Sequence, residues 1–232
     1  MNKRLILTGV IFTISFVVLM VFCILIHQNG GDPLPMDIWA RDLAYSTRGE
    51  KGGFGYWFWR LLTETGDKYF LVALGIALLF YTRLDYRFLI FVLGVVLEAL
   101  LNGAFKGVYQ RPRPDFEMWW MYESSTSFPS GHSTSTGFVY PYLIFIFALT
   151  EKDKRIKLPV IILSGLFMFI VPVSRIVLGM HYLSDCIAGL SLGLITSALF
   201  MALTLLFQEY NILPKGVIPL FKKKKEIEDN NQ

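Results

Sequence analysis

The stretch from Leu5 to Ile26 contains no charged residue and is long enough to cross the hydrocarbon core of a bilayer, which takes a helix of ~20 residues. The composition of the 232-residue chain agrees, because only 17% of its residues are charged, against about 25% in soluble domains. Such a chain cannot cover a water-exposed surface with polar groups. The sequence therefore predicts an integral membrane protein, whose first span stays uncleaved because no small-x-small cleavage pattern follows it.

Five further apolar segments predict five further helices across the membrane. One of them, Phe138 to Leu149, is short, but the small and hydroxyl-bearing residues from Ser133 to Gly137 can extend it where protein rather than lipid surrounds it. Another, Tyr69 to Tyr81, is also short and is expected to extend back through Lys68. We thus predict an all-α fold, one domain over 1–232 with six transmembrane helices. The other predicted spans are Phe88 to Phe105, Leu158 to Val173 and Cys186 to Phe207.

Basic residues are distributed unevenly between the two sides of these spans. The side that holds both termini carries 13 of the 22 Lys and Arg residues, five of them in the tail at about 215–232. By the positive-inside rule, both termini are expected in the cytoplasm and the opposite loops outside the cell. The net charge of +4 comes largely from Lys222 to Lys225 beside a hydrophobic stretch, so it indicates contact with a membrane surface rather than with nucleic acid.

The first of three polar segments on the outward side is Lys106 to Pro114, directly after the third predicted span. Its two prolines end the helix and favour an extended backbone, so Arg111 and Arg113 are presented at a fixed place. The planar guanidinium of arginine suits phosphate oxygens, and lysine adds a compact charge. By itself this segment fits phosphate binding and a basic cluster at lipid head groups equally well.

The second segment, Phe128 to Ser133, opens the fourth predicted span. Ser130 is a good N-cap residue, and Gly131 lets the backbone approach a ligand. The free N–H groups and the dipole of a helix N-terminus attract an anion, beside which His132 would stand. An ordinary capped helix start is the plainer interpretation of this segment alone.

The third segment, Ser174 to Asp185, joins the last two predicted spans. His181 and Asp185 are four residues apart, so in a helix they would share one face and the carboxylate could accept a hydrogen bond from the imidazole. An imidazole held in one tautomer presents its other nitrogen as a nucleophile or a base. The alternative is a simple polar pair at a helix start.

Together the three segments resemble the type 2 phosphatidic acid phosphatase superfamily, whose pattern is K-x6-R-P, then P-S-G-H, then S-R-x5-H-x3-D. Every motif position and spacing matches, and within the superfamily the chain is most similar to the bacterial phosphatidylglycerophosphatase B and undecaprenyl-diphosphatase group. The matching residues are Lys106, Arg113 and Pro114, Pro129 to His132, and Ser174, Arg175, His181 and Asp185.

The resemblance implies a cell-membrane enzyme that hydrolyses lipid phosphates and diphosphates within the bilayer, among them undecaprenyl diphosphate, phosphatidylglycerophosphate and phosphatidic acid. It implies that His181 attacks phosphorus to form a phosphohistidine, that Asp185 orients His181, and that His132 protonates the leaving oxygen. Neither a metal nor another cofactor is expected, because side chains supply the positive charge of the site. The residues expected to bind the phosphate oxygens are Lys106, Arg113, Ser130, Gly131 and Arg175.

Several acidic and basic residues lie near these motifs without belonging to them. Glu98 and Asn102 form a stripe with Lys106 on the third predicted span, which we expect to face the bundle interior because a carboxyl group in a membrane is costly. We interpret Glu98 as a structural hydrogen-bonding residue, Glu123 as a solvated loop charge, and Arg111 as a supporting charge.

Three other functions compete with lipid phosphate hydrolysis. A transporter or binding protein for anionic lipids needs the cations but not a nucleophile oriented by a carboxylate, and no inverted repeat is visible. Vanadium-dependent oxidation is suggested by soluble haloperoxidases with a similar motif set, but a membrane chain favours lipid-linked substrates. A metal hydrolase is disfavoured because the motif cations would repel a divalent ion. Its ligands would be His132, His181, Asp185 and Asp115.

Overall fold

The computed structural model describes residues 3–82, 85–115, 117, 119–151 and 153–210, and the regular structure of these residues is entirely helical. The predicted all-α fold is therefore confirmed. The predicted basic tail at about 215–232 lies outside the described residues. The helices in this part of the chain are α1 (Lys3–Gln28), α2 (Pro35–Thr47), α3 (Phe54–Glu64), α4 (Lys68–Tyr81), α5 (Tyr86–Tyr109), α6 (Gly131–Thr150), α7 (Lys154–Val177) and α8 (Leu183–Glu209).

Five helices, α1, α5, α6, α7 and α8, are long and apolar enough to cross a bilayer. The sixth predicted span is helix α4, which begins at Lys68 as expected but has only 14 residues. At 1.5 Å per residue, α4 extends about 21 Å, less than the ~30 Å of a hydrocarbon core. The chain is thus a multi-pass membrane protein in which five of the six predicted spans are long enough to cross the hydrocarbon core.

Helix α6 packs backbone to backbone against α8. A Cβ atom added at Gly193 would lie 2.1 Å from the carbonyl oxygen of Thr134, and one added at Gly189 would lie 2.5 Å from that of Ser130. Small residues permit this close approach, which is a common mode of packing between membrane helices. The predicted extension of this span through its small residues is confirmed, and the helix begins at Gly131.

Two short helices that the sequence did not predict, α2 and α3, lie between α1 and α4 in the chain. They escaped prediction because neither contains an apolar run of spanning length. Pro35 occupies the first turn of α2, where its missing N–H costs no hydrogen bond, and Asp37 accepts a hydrogen bond from the N–H of Leu34 across 3.0 Å. Both helices pack against α7, so they cover the end of the bundle at which α7 terminates.

The three polar segments meet at this end, because successive spanning helices alternate in direction. Helices α5 and α7 end there, and α6 and α8 begin there. Helix α7 ends in a Schellman motif around Gly179, whose φ of 75° is in the left-handed region. The N–H of Met180 donates to the carbonyl of Arg175 across 2.9 Å, and the N–H of Gly179 donates to Ile176 across 3.0 Å. His181 follows directly after this turn.

Candidate active site

A cavity of about 270 Å³ opens at this end of the bundle and is lined by residues of all three polar segments. Six of the eight predicted site residues line it, whereas Ser130 and Asp185 lie behind its wall. The bundle therefore brings together groups that are distant in the chain. The six lining residues are Lys106, Arg113, Gly131, His132, Arg175 and His181.

His181 and Asp185 are neighbours, but not in the way their spacing predicts. Helix α8 begins at Leu183, so His181 precedes the helix and does not share a helical face with Asp185. The distance from His181 Nδ1 to Asp185 Oδ2 is 3.6 Å, which is too long for a good hydrogen bond. The predicted direct hydrogen bond is therefore wrong.

Ser127 lies beside both side chains and contacts each of them. Its hydroxyl donates to Asp185 Oδ2 across 2.5 Å and lies 3.4 Å from His181 Nδ1. Asp185 Oδ2 also accepts from the backbone N–H of Tyr182 across 2.9 Å. Both the carboxylate and the imidazole thus contact a serine that sequence reasoning missed, since Ser127 lies outside every motif.

The other ring nitrogen of His181, Nε2, lies 3.1 Å from Nη1 of Arg113. Because a guanidinium only donates hydrogen bonds, Nε2 is the acceptor of this contact and Nδ1 carries the proton. Burial lowers the pKa of His181 well below its usual 6.5, and the charges of Arg113, Arg175 and Lys106 lower it further. His181 is therefore neutral at pH 7, with the lone pair of Nε2 on the side of the cations.

Hydrogen bonds to the loops before α6 and α8 hold Arg113 in place, and bonds to the loop before α6 hold Lys106. Arg113 donates from Nε to the carbonyl of Ser125 across 2.6 Å and from Nη1 to that of Met180 across 2.7 Å. Lys106 Nζ donates to Ser125 Oγ across 3.3 Å and to the carbonyl of Thr126. The two cations are thus fixed against one wall of the cavity before any ligand arrives.

Arg175 is the third cation of the cavity and is 1% exposed. Its Nη1 donates to Thr63 Oγ1 of helix α3 across 3.1 Å. Its Nε is buried and has no hydrogen-bond partner within the described part of the chain. A buried donor without a partner is unfavourable, so this guanidinium is suited to an incoming oxygen ligand.

Ser130 and His132 have different roles at the start of α6. The hydroxyl of Ser130 caps the helix by accepting from the N–H of Ser133 across 3.4 Å, and its own N–H donates to the carbonyl of Asp185 across 3.0 Å. Ser130 therefore shapes the site from behind instead of lining the cavity. His132 faces the cavity beside Gly66, where an added Cβ would lie 3.5 Å from His132 Cβ.

Arg111 is fully buried behind Asp185 and lies between two carboxylates. It donates from Nη1 to Asp185 Oδ1 across 2.6 Å and from Nη2 to Asp37 Oδ2 across 3.0 Å. Asp37 in turn accepts from the backbone N–H of Ser184 across 2.8 Å. The supporting charge predicted for Arg111 thus acts on Asp185 and on helix α2, which the sequence did not connect with the site.

The stripe on α5 faces the bundle interior as expected. Asn102 donates to Thr134 Oγ1 across 2.9 Å and to the carbonyl of Pro129 across 3.2 Å, which ties α5 to the start of α6. Glu98 accepts from the hydroxyl of Ser135 across 2.6 Å and also lines the cavity. Both residues make the structural hydrogen bonds that we expected of Glu98.

Glu123 differs from its prediction, because it lines the cavity and is only partly exposed. Burial raises the pKa of its carboxyl, but the charge of Arg113 and hydrogen bonds from Ser125 outweigh burial and hold the pKa below the usual 4.5. Glu123 is therefore an ionised partner of the cations and not a solvated loop charge.

The ligand set of the competing metal hydrolase is not assembled. Asp115 is exposed and does not line the cavity, while Asp185 lies behind its wall. Among the described residues, no group of three or more His, Cys, Asp and Glu side chains is placed to hold a metal ion.

Residues 87–208 match the sequence model of the PAP2 superfamily, a range that contains every motif residue. Phosphatidylglycerophosphatase B of Bacillus subtilis is 35% identical to this chain over 139 residues, which covers 58% of this chain and 68% of that protein. A lipid A 1-phosphatase of Rhizobium johnstonii is 31% identical over 193 residues, which covers 70% of this chain and 73% of that protein.

Similarity to a solved structure agrees with these relatives. The crystal structure of a transmembrane PAP2-type phosphatidylglycerolphosphate phosphatase from Bacillus subtilis superposes with a TM-score of 0.68 and 29% sequence identity. The superposition covers 83% of this chain and 94% of that one. The helical bundle described above is therefore shared over nearly the whole of the solved protein.

Proposed function

The chain belongs to the PAP2 superfamily and is a membrane lipid phosphatase, and on this premise we propose that it works through a phosphohistidine at His181. In the first step, Nε2 of His181 attacks phosphorus while the bond from phosphorus to the lipid oxygen breaks. His132 enters this step as the imidazolium, a form that the negative charge of the bound phosphate favours, and gives its proton to that oxygen. In the second step, a water molecule loses a proton to His132 and attacks phosphorus, which breaks the P–N bond and releases inorganic phosphate.

The observation that carries this proposal is the environment of the two nitrogens of His181. Nε2 lies 3.1 Å from Arg113 on the cavity side, whereas Nδ1 is backed by Ser127 and, at 3.6 Å, by Asp185. A neutral imidazole oriented in this way presents its lone pair where cations would hold a phosphoryl group. A lipid transporter or binding protein needs the cations but no such nucleophile.

The three cations of the cavity supply the electrostatic stabilisation that phosphoryl transfer needs. Lys106, Arg113 and Arg175 line one cavity with the N-terminal turn of α6, whose dipole also favours negative charge. In the transition state the charge is spread over three equatorial oxygens, so donors that are fixed in advance lower the barrier without reorganisation. We propose that these side chains and the backbone of Gly131 hold those oxygens.

Because these side chains supply the positive charge, we propose that no divalent metal takes part. Prolonged chelation should leave the rate nearly unchanged, and vanadate should inhibit because it mimics five-coordinate phosphorus. Complete loss of activity on chelation, restored by zinc or magnesium, would favour the metal-dependent reaction instead.

We further propose that both termini are cytoplasmic and that the site faces outward. From this orientation we infer that the physiological substrate is a polyprenyl diphosphate, with phosphatidylglycerophosphate as the second candidate. The motif residues bind phosphate oxygens and do not distinguish one lipid tail from another. An apolar wall also discriminates weakly between tails, because a missing methylene changes the binding free energy by only ~1 to 3 kcal/mol. Location must then select between these two lipids. An outward site meets the diphosphate carrier left by extracytoplasmic glycan assembly, whereas phosphatidylglycerophosphate is made at the inner face.

A comparison of kcat/KM tests the substrate order. Undecaprenyl diphosphate, phosphatidylglycerophosphate and phosphatidic acid should be assayed with the purified protein in one detergent system, following phosphate release. We expect all three to be hydrolysed, with undecaprenyl diphosphate first. A preference of more than about a hundredfold for phosphatidylglycerophosphate, ~2.7 kcal/mol, would overturn the order.

A further inference from the structure

The cavity extends beyond the three cations to the start of helix α4. Besides the motif residues, its wall includes Gly66, Asp67 and Lys68, together with Glu98 of α5. This part of the wall contains no motif residue, and the hydrolytic steps described above do not use it. It is nevertheless continuous with the space in which the phosphoryl group reacts.

The geometry of an in-line displacement directs the rest of the substrate towards this wall. Since His181 attacks from one side, the leaving oxygen departs on the opposite side, where His132 would protonate it. Gly66 adjoins His132, because a Cβ added at Gly66 would lie 3.5 Å from His132 Cβ. The group attached to the leaving oxygen is therefore directed towards Gly66 and Lys68.

Lys68 is a fourth cation in this cavity and has no role in the reaction described above. Its Nζ lies 5.1 Å from the ring centroid of Tyr69, and among the described residues it makes no hydrogen bond or ion pair. The neighbouring carboxylates have other partners. Asp67 caps α4 by accepting from the N–H of Tyr69 across 2.8 Å, and Glu98 accepts from Ser135.

We propose that Lys68 binds the phosphate that stays with the lipid, so that the site selects lipids carrying two phosphate groups. The inference rests on the proposed function. In a polyprenyl diphosphate the retained phosphate bears the leaving oxygen, and in phosphatidylglycerophosphate it lies a glycerol unit further away. Lysine suits both, because its ammonium is a compact charge on a flexible stem. Phosphatidic acid has no second phosphate for Lys68 to bind.

Two pairs of substrates that differ by one phosphate group test this inference. They are farnesyl diphosphate with farnesyl phosphate, and phosphatidylglycerophosphate with phosphatidic acid. We expect Lys68→Met to lower kcat/KM for the two-phosphate member of each pair at least tenfold more than for the one-phosphate member, ~1.4 kcal/mol. Lys68→Arg should recover most of the difference. The control is Lys51→Met, because Lys51 is exposed and its Nζ donates to the carbonyl of Trp119 outside the cavity.

The possible outcomes separate this inference from the proposed function. Equal losses on both members of each pair, or no loss on either, would overturn the role of Lys68 while leaving the phosphatase intact. A selective loss in one pair only would restrict the second-phosphate site to that class of lipid. If the unmodified protein hydrolyses none of the four lipids, the proposed function itself fails, and the inference fails with it. Lys68→Gln replaces Lys68→Met if the latter does not elute as a folded protein on size exclusion.

Discussion

Arg111 Nη1 lies 2.6 Å from Asp185 Oδ1, and both side chains are fully excluded from solvent. Because the same guanidinium also lies 3.0 Å from Asp37 Oδ2, one cation compensates two buried carboxylates. The carboxylate behind His181 is thus fixed from two directions, by Arg111 on Oδ1 and by Ser127 on Oδ2. Each of these two contacts leads to a separate prediction about a variant that lacks it.

Removing Arg111 should destabilise the protein strongly. In Arg111→Met, the carboxylates of Asp37 and Asp185 remain buried without their cation, and breaking a buried pair in this way costs about 3–5 kcal/mol. The matched control is Arg41→Met, which removes a partly exposed pair with Asp42 worth at most ~1 kcal/mol. Thermal unfolding in detergent measures both variants. Similar melting temperatures for the two would contradict the structural role of Arg111.

Removing the hydroxyl of Ser127 should lower kcat with little effect on KM. In Ser127→Ala, Asp185 loses the hydroxyl donor that holds Oδ2 in place and His181 Nδ1 loses the same hydroxyl as a neighbour, so we expect kcat to fall roughly 10- to 100-fold, the scale of lost positioning at a nucleophile. The control is Ser124→Ala, since Ser124 is exposed on the same loop.

Ser127 and Asp185 act on the same nitrogen, so their effects should not multiply. Asp185→Asn should reduce kcat less than His181→Ala does, because the nucleophile survives in a poorly fixed tautomer. In the double variant Ser127→Ala/Asp185→Asn, the loss should be smaller than the product of the two single losses. A full product would mean that the two side chains act independently.

The pKa of His181 should be measurable on its own, because the chain has only three histidines. In His27→Gln/His132→Gln, a nuclear magnetic resonance titration of labelled histidine reports on His181 alone. Burial and the neighbouring cations favour the neutral form, so the midpoint should lie below pH 6.5 and the ring should gain its proton only under more acidic conditions. Adding Arg113→Gln should raise the midpoint. A midpoint at or above 6.5 would contradict the described environment.

The proposed orientation predicts opposite accessibility for two loops. Single cysteines at Tyr122 and Lys154, introduced after Cys23 and Cys186 are replaced by alanine, can be labelled on intact cells with an impermeant thiol reagent. Both positions are exposed, so labelling depends on the side of the membrane. We expect Tyr122→Cys to be labelled and Lys154→Cys to be protected. Labelling of Lys154→Cys but not of Tyr122→Cys would reverse the topology and remove the argument for an outward substrate.

Much of the fold follows from apolar patterns in the sequence. The long apolar stretches predicted α1, α5, α7 and α8, and the small residues before Phe138 predicted the early start of α6. Helices α2 and α3 were not predicted, because a short amphipathic helix contains no apolar run long enough to span a membrane. They contribute to the site through Asp37, which binds Arg111, and Thr63, which binds Arg175. These are tertiary contacts, so no local sequence pattern indicates them.

The structure brings most of the residues expected in the site to one cavity, but it orients several of them differently from what the sequence suggested. The motifs and the predicted topology placed Lys106, Arg113 and His181 at one end of the bundle, where they line one cavity. The four-residue spacing of His181 and Asp185 suggested a shared helical face, which the start of α8 at Leu183 prevents. Ser127 could not be singled out, because one serine in a polar loop has no periodic or motif signal. The motif separates Arg113 from Arg111, which was interpreted as a supporting charge, but only packing shows that Arg111 supports Asp185.

The most direct test of the account is to trap the covalent intermediate. The purified protein is mixed with a ³²P-labelled lipid diphosphate, quenched within milliseconds in alkali, where phosphohistidine survives, and digested for peptide mapping. We expect acid-labile label on the peptide that contains His181, no label in His181→Gln, and normal label in His27→Gln, since His27 lies at the end of α1. Label on any other residue, or unchanged turnover in His181→Gln, would contradict the assignment of His181 as the nucleophile.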